Sequence, residues 1–306
     1  MRTDELRKQV TGKLIEMMQS GNDRPWRQPW SFGPNHGVPT SAATGKPYRG
    51  SNAVTLDLAA MILGYKSKNW NTFNNWKAKD IYPKQGSKAT WAMWFGKRGI
   101  EGEDENGEKT TKYVPTMKSF CLFNAEQCHG EHIDDYLCKP VDNPELYKVN
   151  YDQFDELIKR HGIVVMDDQG EASHDPTSKK IRMPKRGYFE NVAAYYATLA
   201  HEICHWAEDV SGNGRGNRTQ ENYADYELSA EIGSAYLLRE LGLPVVETER
   251  TLSNSAIYLK TWLKRLKDDD SYIFKASGRA GRLVDYLIGR EEKKEKTEES
   301  KELVNV

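Results

Sequence analysis

The sequence predicts an α+β protein of two domains, the first mixing helices with short strands and the second mainly helical. Three observations predict it. A length of 306 residues is enough for two ordinary cores. Hydrophobic periodicity changes along the chain, from short aromatic runs broken by turn residues to long stretches at helical spacing. Charge is divided as well: residues 1–100 hold 16 Lys/Arg against 6 Asp/Glu, whereas residues 101–306 hold 28 against 39. The net charge of -1 is the sum of two regions of opposite sign.

The elements follow in order. Leu6, Val10, Leu14 and Met17/Met18 share a helical face, so residues 4–19 open the chain as a helix. Asn52–Leu63 forms a second helix, stopped by Gly64, and Thr72–Lys79 a short third one. Ala89–Phe95 and Ser119–Phe123 are short apolar or aromatic runs expected as buried strands. Between them Glu101–Lys112 is acidic, contains Gly102 and Gly107, and has no apolar side chain, so a hairpin loop is expected. Glu131–Pro144, with Pro140, Pro144 and several acids, reads as the linker. A helix over Tyr151–His161 and strands near Ile163–Met166 and Lys180–Met183 come next. Helices over Asn191–Glu208, Tyr223–Leu241 and Ser253–Lys267 then dominate. Glu291–Glu302 alternates charges with almost nothing apolar and is expected to be a disordered tail. The domain limits are therefore placed at 1–140 and 141–290, with a tail over 291–306.

Several classes are excluded at this point. No apolar run approaches the roughly 20 residues of a membrane span, so no membrane partner is expected. The N-terminus lacks the apolar core of a signal peptide, which points to a cytoplasmic location. Cys121, Cys128, Cys138 and Cys204 form no CxxC pair and are expected as reduced thiols.

The basic N-terminal region holds six of the eight tryptophans. Three segments interleave aromatics with cations: Trp26, Arg27 and Trp30 between prolines; Lys46, Tyr48, Arg49 and Asn52 in a turn-like stretch; Lys66, Lys68 and Trp70 after Gly64. Cations pair with phosphates and aromatic faces accept unstacked bases, so single-stranded DNA is the expected partner. A tryptophan-rich core under solvated lysines is the alternative reading. Zinc-finger spacing and a basic zipper, the marks of duplex readers, are missing.

His201-Glu202-Ile203-Cys204-His205 is an HExxH motif. On a helix its imidazoles lie on one face and can share a Zn²⁺, and Glu202 can accept a proton from the water such an ion holds. Two histidines leave the site incomplete. Downstream, Glu227 and Glu231 are four apart on an apparent helix, which resembles the arrangement of Glu-type zincins. Glu227 is assigned as the third ligand and Glu231 as the carboxylate that orients a ligand histidine. The reverse assignment, and a reading of both as surface carboxylates, stay open. Ser211–Glu221, rich in Gly, Asn and Arg, reads as a loop over the site, and Tyr223 and Tyr226 are candidate oxyanion donors.

These motifs together carry a resemblance. Trp26–Trp30, Thr44–Asn52, Trp70 with Thr72, Gly86–Lys88 and Phe120–Asn124 in the first half resemble the ArdC-type antirestriction proteins of plasmids and phages, including related TraC-type primase N-terminal regions. Tyr195–Glu202, His205-Trp206, Tyr223–Glu231, Ala256-Ile257-Tyr258 and Trp262-Leu263 extend it through the second half. The resemblance implies an N-terminal single-stranded-DNA-binding domain joined to a zincin-like metallopeptidase domain, and a role in protecting mobile DNA from host restriction. Ala207 and Glu208 depart from the Thr-Gly usual after His-Trp in that family, and Tyr226 from its usual Glu. Three functions then compete. The first is an ssDNA-binding zinc peptidase acting on a DNA-bound protein or a host restriction enzyme. The second is a non-catalytic ssDNA coat whose zinc site is structural or vestigial. The third, a nuclease, lacks the clustered carboxylates of a two-metal site.

Overall fold

A computed structural model describes residues 3–20, 37–103, 109–138, 151–168, 171–212, 220–245 and 249–290. The opening helix α1 (Thr3–Gln19) is followed by β1 (Thr40–Ser41), α2 (Gly50–Leu63), β2 (Asn69–Asn71) and α3 (Phe73–Lys77), the last capped by the Thr72 side chain. β3 (Ile81–Pro83), β4 (Thr90–Glu103), β5 (Lys109–Asn124) and β6 (Cys128–Gly130) complete the N-terminal domain. One sheet has the order β1-β2-β5-β4, parallel between β1 and β2 and antiparallel elsewhere, while β3 and β6 pair separately.

The expected hairpin loop is a correction. β4 and β5 stay in register from Thr90 opposite Leu122 to Glu103 opposite Lys109, so much of Glu101–Lys112 is strand. Antiparallel pairing satisfies the backbone from its own two strands, and such a ribbon therefore needs no apolar side chains where it leaves the core. The short strands β1, β2, β3 and β6 have too few residues to show a period of two, and the sequence does not mark them.

The C-terminal domain runs through α4 (Asp152–Arg160), β7 (Val164–Asp168), β8 (Ser173–Asp175), β9 (Lys180–Pro184), α5 (Val192–Val210), α6 (Gln220–Glu240), α7 (Glu249–Asp268) and α8 (Tyr272–Leu287). β9 is central, parallel to β7 and antiparallel to β8. α8 has no counterpart among the expected helices, although Ile273, Phe274, Ala276, Ala280, Leu283, Val284 and Leu287 form its buried stripe. The proposed linker lies partly outside the described residues, as do the 291–306 tail and most of the proposed loop over the site. No helix among the described residues is long and apolar enough to cross a membrane.

The two domains share packing. Leu14, Met18, Ala53 and Met93 belong to the same buried cluster as Trp262, Leu266 and the apolar face of α5. α2 lies against α8, where a Cβ at Gly281 would come within 3.2 Å of the Gly50 nitrogen, so the glycine permits the contact. Arg239 of α6 grips Asp57 of α2 through two hydrogen bonds of 2.8 and 2.6 Å, its side chain 4% exposed. Burial pushes the Asp57 carboxyl up to about 6, while Arg239 pulls the other way.

At the α7–α8 turn, Asp269 accepts from Lys275 and from the Ser271 hydroxyl and backbone N–H. Those bonds lower its carboxyl to about 2. A depressed folded value means stability present above the ordinary carboxylate range and lost as pH falls through 2. Asp269→Asn is expected to cost about 1 kcal/mol at neutral pH, because solvent screens so exposed a pair. Urea melts should show that gap closing between pH 4 and pH 2.

Candidate metal centre

α5 starts at the Asn191 side chain, which accepts from the Ala194 N–H at 2.9 Å. Every residue from Ala194 to Glu208 is buried. A helix enclosed on all sides should be apolar, so its four buried ionisable residues, His201, Glu202, His205 and Glu208, call for a specific role. α6 packs beside it. A Cβ at Gly233 would sit 3.1 Å from the Cys204 sulfur, so the glycine permits the close approach that brings the α6 carboxylates to the α5 histidines.

His201, His205 and Glu227 converge as a buried triad. The two Nε2 atoms are 3.1 Å apart, and each is 3.4 Å from a different Glu227 oxygen. A tetrahedral zinc ion with bonds of about 2.0–2.1 Å needs ligand atoms roughly 3.3–3.4 Å apart, and one atom from each of the three residues lies within 4.8 Å of the others. Behind it, His201 Nδ1 faces Glu231 at 3.6 Å and His205 Nδ1 faces Glu208 at 3.7 Å. Each imidazole thus turns one nitrogen to the shared centre and the other to a carboxylate, the arrangement that fixes a metal-binding histidine. Burial works against a charged His205, yet Glu227, Glu208 and Glu202 outweigh it and hold its pKa well above the ordinary value. Burial likewise opposes ionisation of Glu227, and the two imidazoles reverse it, keeping that carboxyl far below the usual range. A cation is therefore favoured at the centre. Glu202, 6% exposed, lies between the two histidines on α5, so the cluster holds two imidazoles, the Glu227 carboxylate and a further acid.

Glu208 is a residue that sequence reasoning misses. Its signal is its place three residues after His205, where a helix brings side chains together. It occupies a position at which the resemblance shows a departure. Tyr258 of α7 is a second such residue: burial first, and then the charge of Glu227, raises its hydroxyl, and its ring stacks on Trp262 at 6.1 Å. It faces Tyr223 at 5.7 Å between ring centres. Tyr226 is buried with its ring beneath Arg279 and lies in a separate cleft.

The residues assigned to DNA fare unevenly. Trp26, Arg27 and Trp30 lie outside the described residues. Trp70 is a correction: it is wholly buried among Leu56, Ala60, Ala92 and Leu122, so its ring cannot receive a base. Asn52 spends its amide on the backbone of Met93, donating at 2.6 Å and accepting at 2.8 Å. Tyr48 is half-buried and its hydroxyl is pushed up to about 12 by burial, against a hydrogen bond with Ser41. Lys46, Arg49 and Lys66 are exposed and Lys68 half-buried. Arg49 pairs with Asp285 at 3.1 Å. A different aromatic is presented to solvent. Trp94 on β4 is 38% exposed, opposite Lys118 in the ladder, and its ring lies over Gly96, where a Cβ would come within 1.8 Å.

Known proteins share this arrangement of domains. Residues 4–123 match the family model for the N-terminal domain of anti-restriction factor ArdC, and residues 152–279 match that of a zincin-like metallopeptidase. The metal-free crystal structure of the antirestriction ArdC protein from plasmid R388 has a TM-score of 0.73 at 34% identity, covering 92% of this chain and 96% of that one. The chain belongs to the ArdC antirestriction family. The Mn(II)-bound form of the R388 ArdC is similar at TM-score 0.70 and 31% identity, over 94% and 99% of the two chains. Among curated relatives, a DNA primase TraC of Escherichia coli is 28% identical across 93% of this chain. The ArdC-family chain spans only about a quarter of that primase, 27% of its length. The uncharacterized protein y4eC of Sinorhizobium fredii is 24% identical over 96% of this chain and 95% of its own.

Proposed function

We propose that this protein is a single-stranded-DNA-binding antirestriction protein of a mobile element whose second domain is a zinc metallopeptidase, acting on a DNA-bound protein such as a host restriction enzyme. The observation that carries the catalytic part is the buried His201/His205/Glu227 triad with Glu202 beside it. A structural zinc site closes with four protein ligands, and a catalytic one keeps three and an open position. Among the described residues three ligands converge. A non-catalytic coat protein would have no use for an additional buried acid at that place. The Mn(II)-bound relative supports a divalent ion, and the two-imidazole, one-carboxylate donor set suits Zn²⁺.

When bound, the ion supplies Lewis-acid chemistry and makes a water acidic. Glu202 receives the proton at its carboxylate and returns it to the leaving amine. Glu231 and Glu208 hold the imidazoles in orientation. β8 packs against α5 at the edge of its sheet, and no strand among the described residues pairs with its outer side. That edge suits an extended peptide adding as a further strand.

Glu202→Gln is expected to retain metal and DNA binding while losing about 10²–10⁴-fold in cleavage of proteins mixed with ssDNA, the usual worth of a positioned base. Equal protection of transferred DNA in cells by both forms, with no cleavage by either, would overturn the peptidase reading. For DNA, affinity should fall steeply with salt as phosphate contacts release counterions. Trp94→Ala should weaken ssDNA binding by roughly 1–3 kcal/mol, the worth of one stacked base, in fluorescence anisotropy. Salt-independent binding would remove the DNA reading.

A further inference from the structure

Beyond the α5 C-terminus, Ser211, Asn222, Asp225, Tyr226, Arg279 and Arg282 line a cleft of about 500 Å³. Its charge is unusual for its half of the chain, which is acidic overall. Asp225 is occupied: it accepts from Arg265 and, at 2.7 Å, from the Tyr272 hydroxyl. Arg279 lies 5.8 Å above the Tyr226 ring, and neither it nor Arg282 has an acidic partner among the described residues. Two arginines therefore line an open cleft. Planar guanidinium forks of this kind match phosphate oxygens.

The position of the cleft narrows the ligand. A Cβ on Gly278 would lie 3.7 Å from the Arg282 guanidinium, and a Cβ on Gly50 would lie 3.6 Å from the Gly278 Cα, so the N-terminal basic turn reaches the rim of the cleft. Arg49, exposed, stands next to Gly50 and is held against α8 by Asp285. The cleft also lies six residues beyond His205, about 9 Å along the α5 axis at the usual helical rise. We propose that Arg279 and Arg282 bind phosphodiester groups, so that ssDNA held by the N-terminal domain continues past the Gly50–Gly278 contact onto the peptidase domain. This rests on the ssDNA reading above and adds a second, C-terminal anchoring point. A strand so routed would bring any protein riding on it toward the metal triad.

The test uses the full chain, with Arg279→Gln/Arg282→Gln compared with wild type and Trp94→Ala on poly(dT) of increasing length. The double variant should bind long oligonucleotides about tenfold more weakly at low salt, and its salt slope should fall by about 1.4, the loss of two single-strand phosphate contacts. Oligonucleotides too short to leave the N-terminal domain should bind both alike. Lysine at both positions should restore most of the affinity. Equal binding and equal slope for the double variant, with Trp94→Ala impaired, would overturn this proposal and leave the N-terminal reading standing. A wild type that binds no ssDNA would remove that reading and the proposal with it. Loss of binding to an acidic peptide without any change for DNA would also overturn the proposal, by assigning the cleft to peptide.

Discussion

Zn²⁺ in hundredfold excess over its Kd should raise the melting temperature of the apoprotein by roughly 4 °C, and His205→Ala should abolish the increment. Ligand binding to the native state alone at that excess contributes about 2.7 kcal/mol. In a chain of this size each kcal/mol moves the transition by about 1.5 °C. The physical source is the concentration of buried acid around α5. Glu202, Glu208, Glu227 and Glu231 are each no more than 6% exposed, and the two imidazoles stand among them, facing Glu208, Glu227 and Glu231. A divalent ion adds positive charge where four carboxylates are packed into the interior. Removing His205 takes one ligand from the centre and the facing group from Glu208. Metal analysis of the purified variant gives an independent readout, and equal metal content would rule out the assigned triad.

The second large effect concerns the domain joint. Arg239→Met should destabilise the protein by about 3–5 kcal/mol, the usual consequence of leaving a buried charge without its partner. Asp57 would be left at the α2–α6 contact with no guanidinium beside it, and burial would push its carboxyl above the value of about 6 it holds with Arg239 present. Adding Asp57→Leu should recover most of the loss, since an apolar pair of similar size is often as stable as the ion pair it replaces. Chemical denaturation of the two single variants and the double one measures this coupling. Additive losses would show that the pair does not join the domains energetically.

The candidate metal triad and its proposed base are legible in the sequence because a helix converts spacing into shared faces. His201 and His205 are four apart, as are Glu227 and Glu231, so spacing alone puts each pair on a common side. Glu208 obeys the same geometry but does not stand out, since a glutamate at the end of a helix usually faces solvent. Trp70 and Trp94 show the opposite limitation. Both stand in the basic region beside lysines, and local context does not say which ring is buried. β2 lies inside the sheet and its tryptophan fills the core, whereas β4 carries its indole on the ribbon toward solvent over Gly96.

By itself, the sequence determined two regions of opposite charge, the helix faces that pair two histidines and two glutamates, and the resemblance to a family with both a DNA-binding and a peptidase-like part. These are properties of spacing and composition, readable wherever interactions are local. Tertiary structure alone decided how α6 meets α5 across Gly233, which carboxylate closes the triad and which stands behind it. It also decided that the turn at Gly50 meets Gly278 and Gly281 of α8. Such contacts join residues from 22 positions apart, as His205 and Glu227, to more than two hundred, as Gly50 and Gly278, and their selection depends on the shape of the packed interior. No local pattern encodes that. The charge asymmetry in the counts thus has a spatial sequel, since ion pairs such as Arg49–Asp285 and Arg239–Asp57 join the two halves.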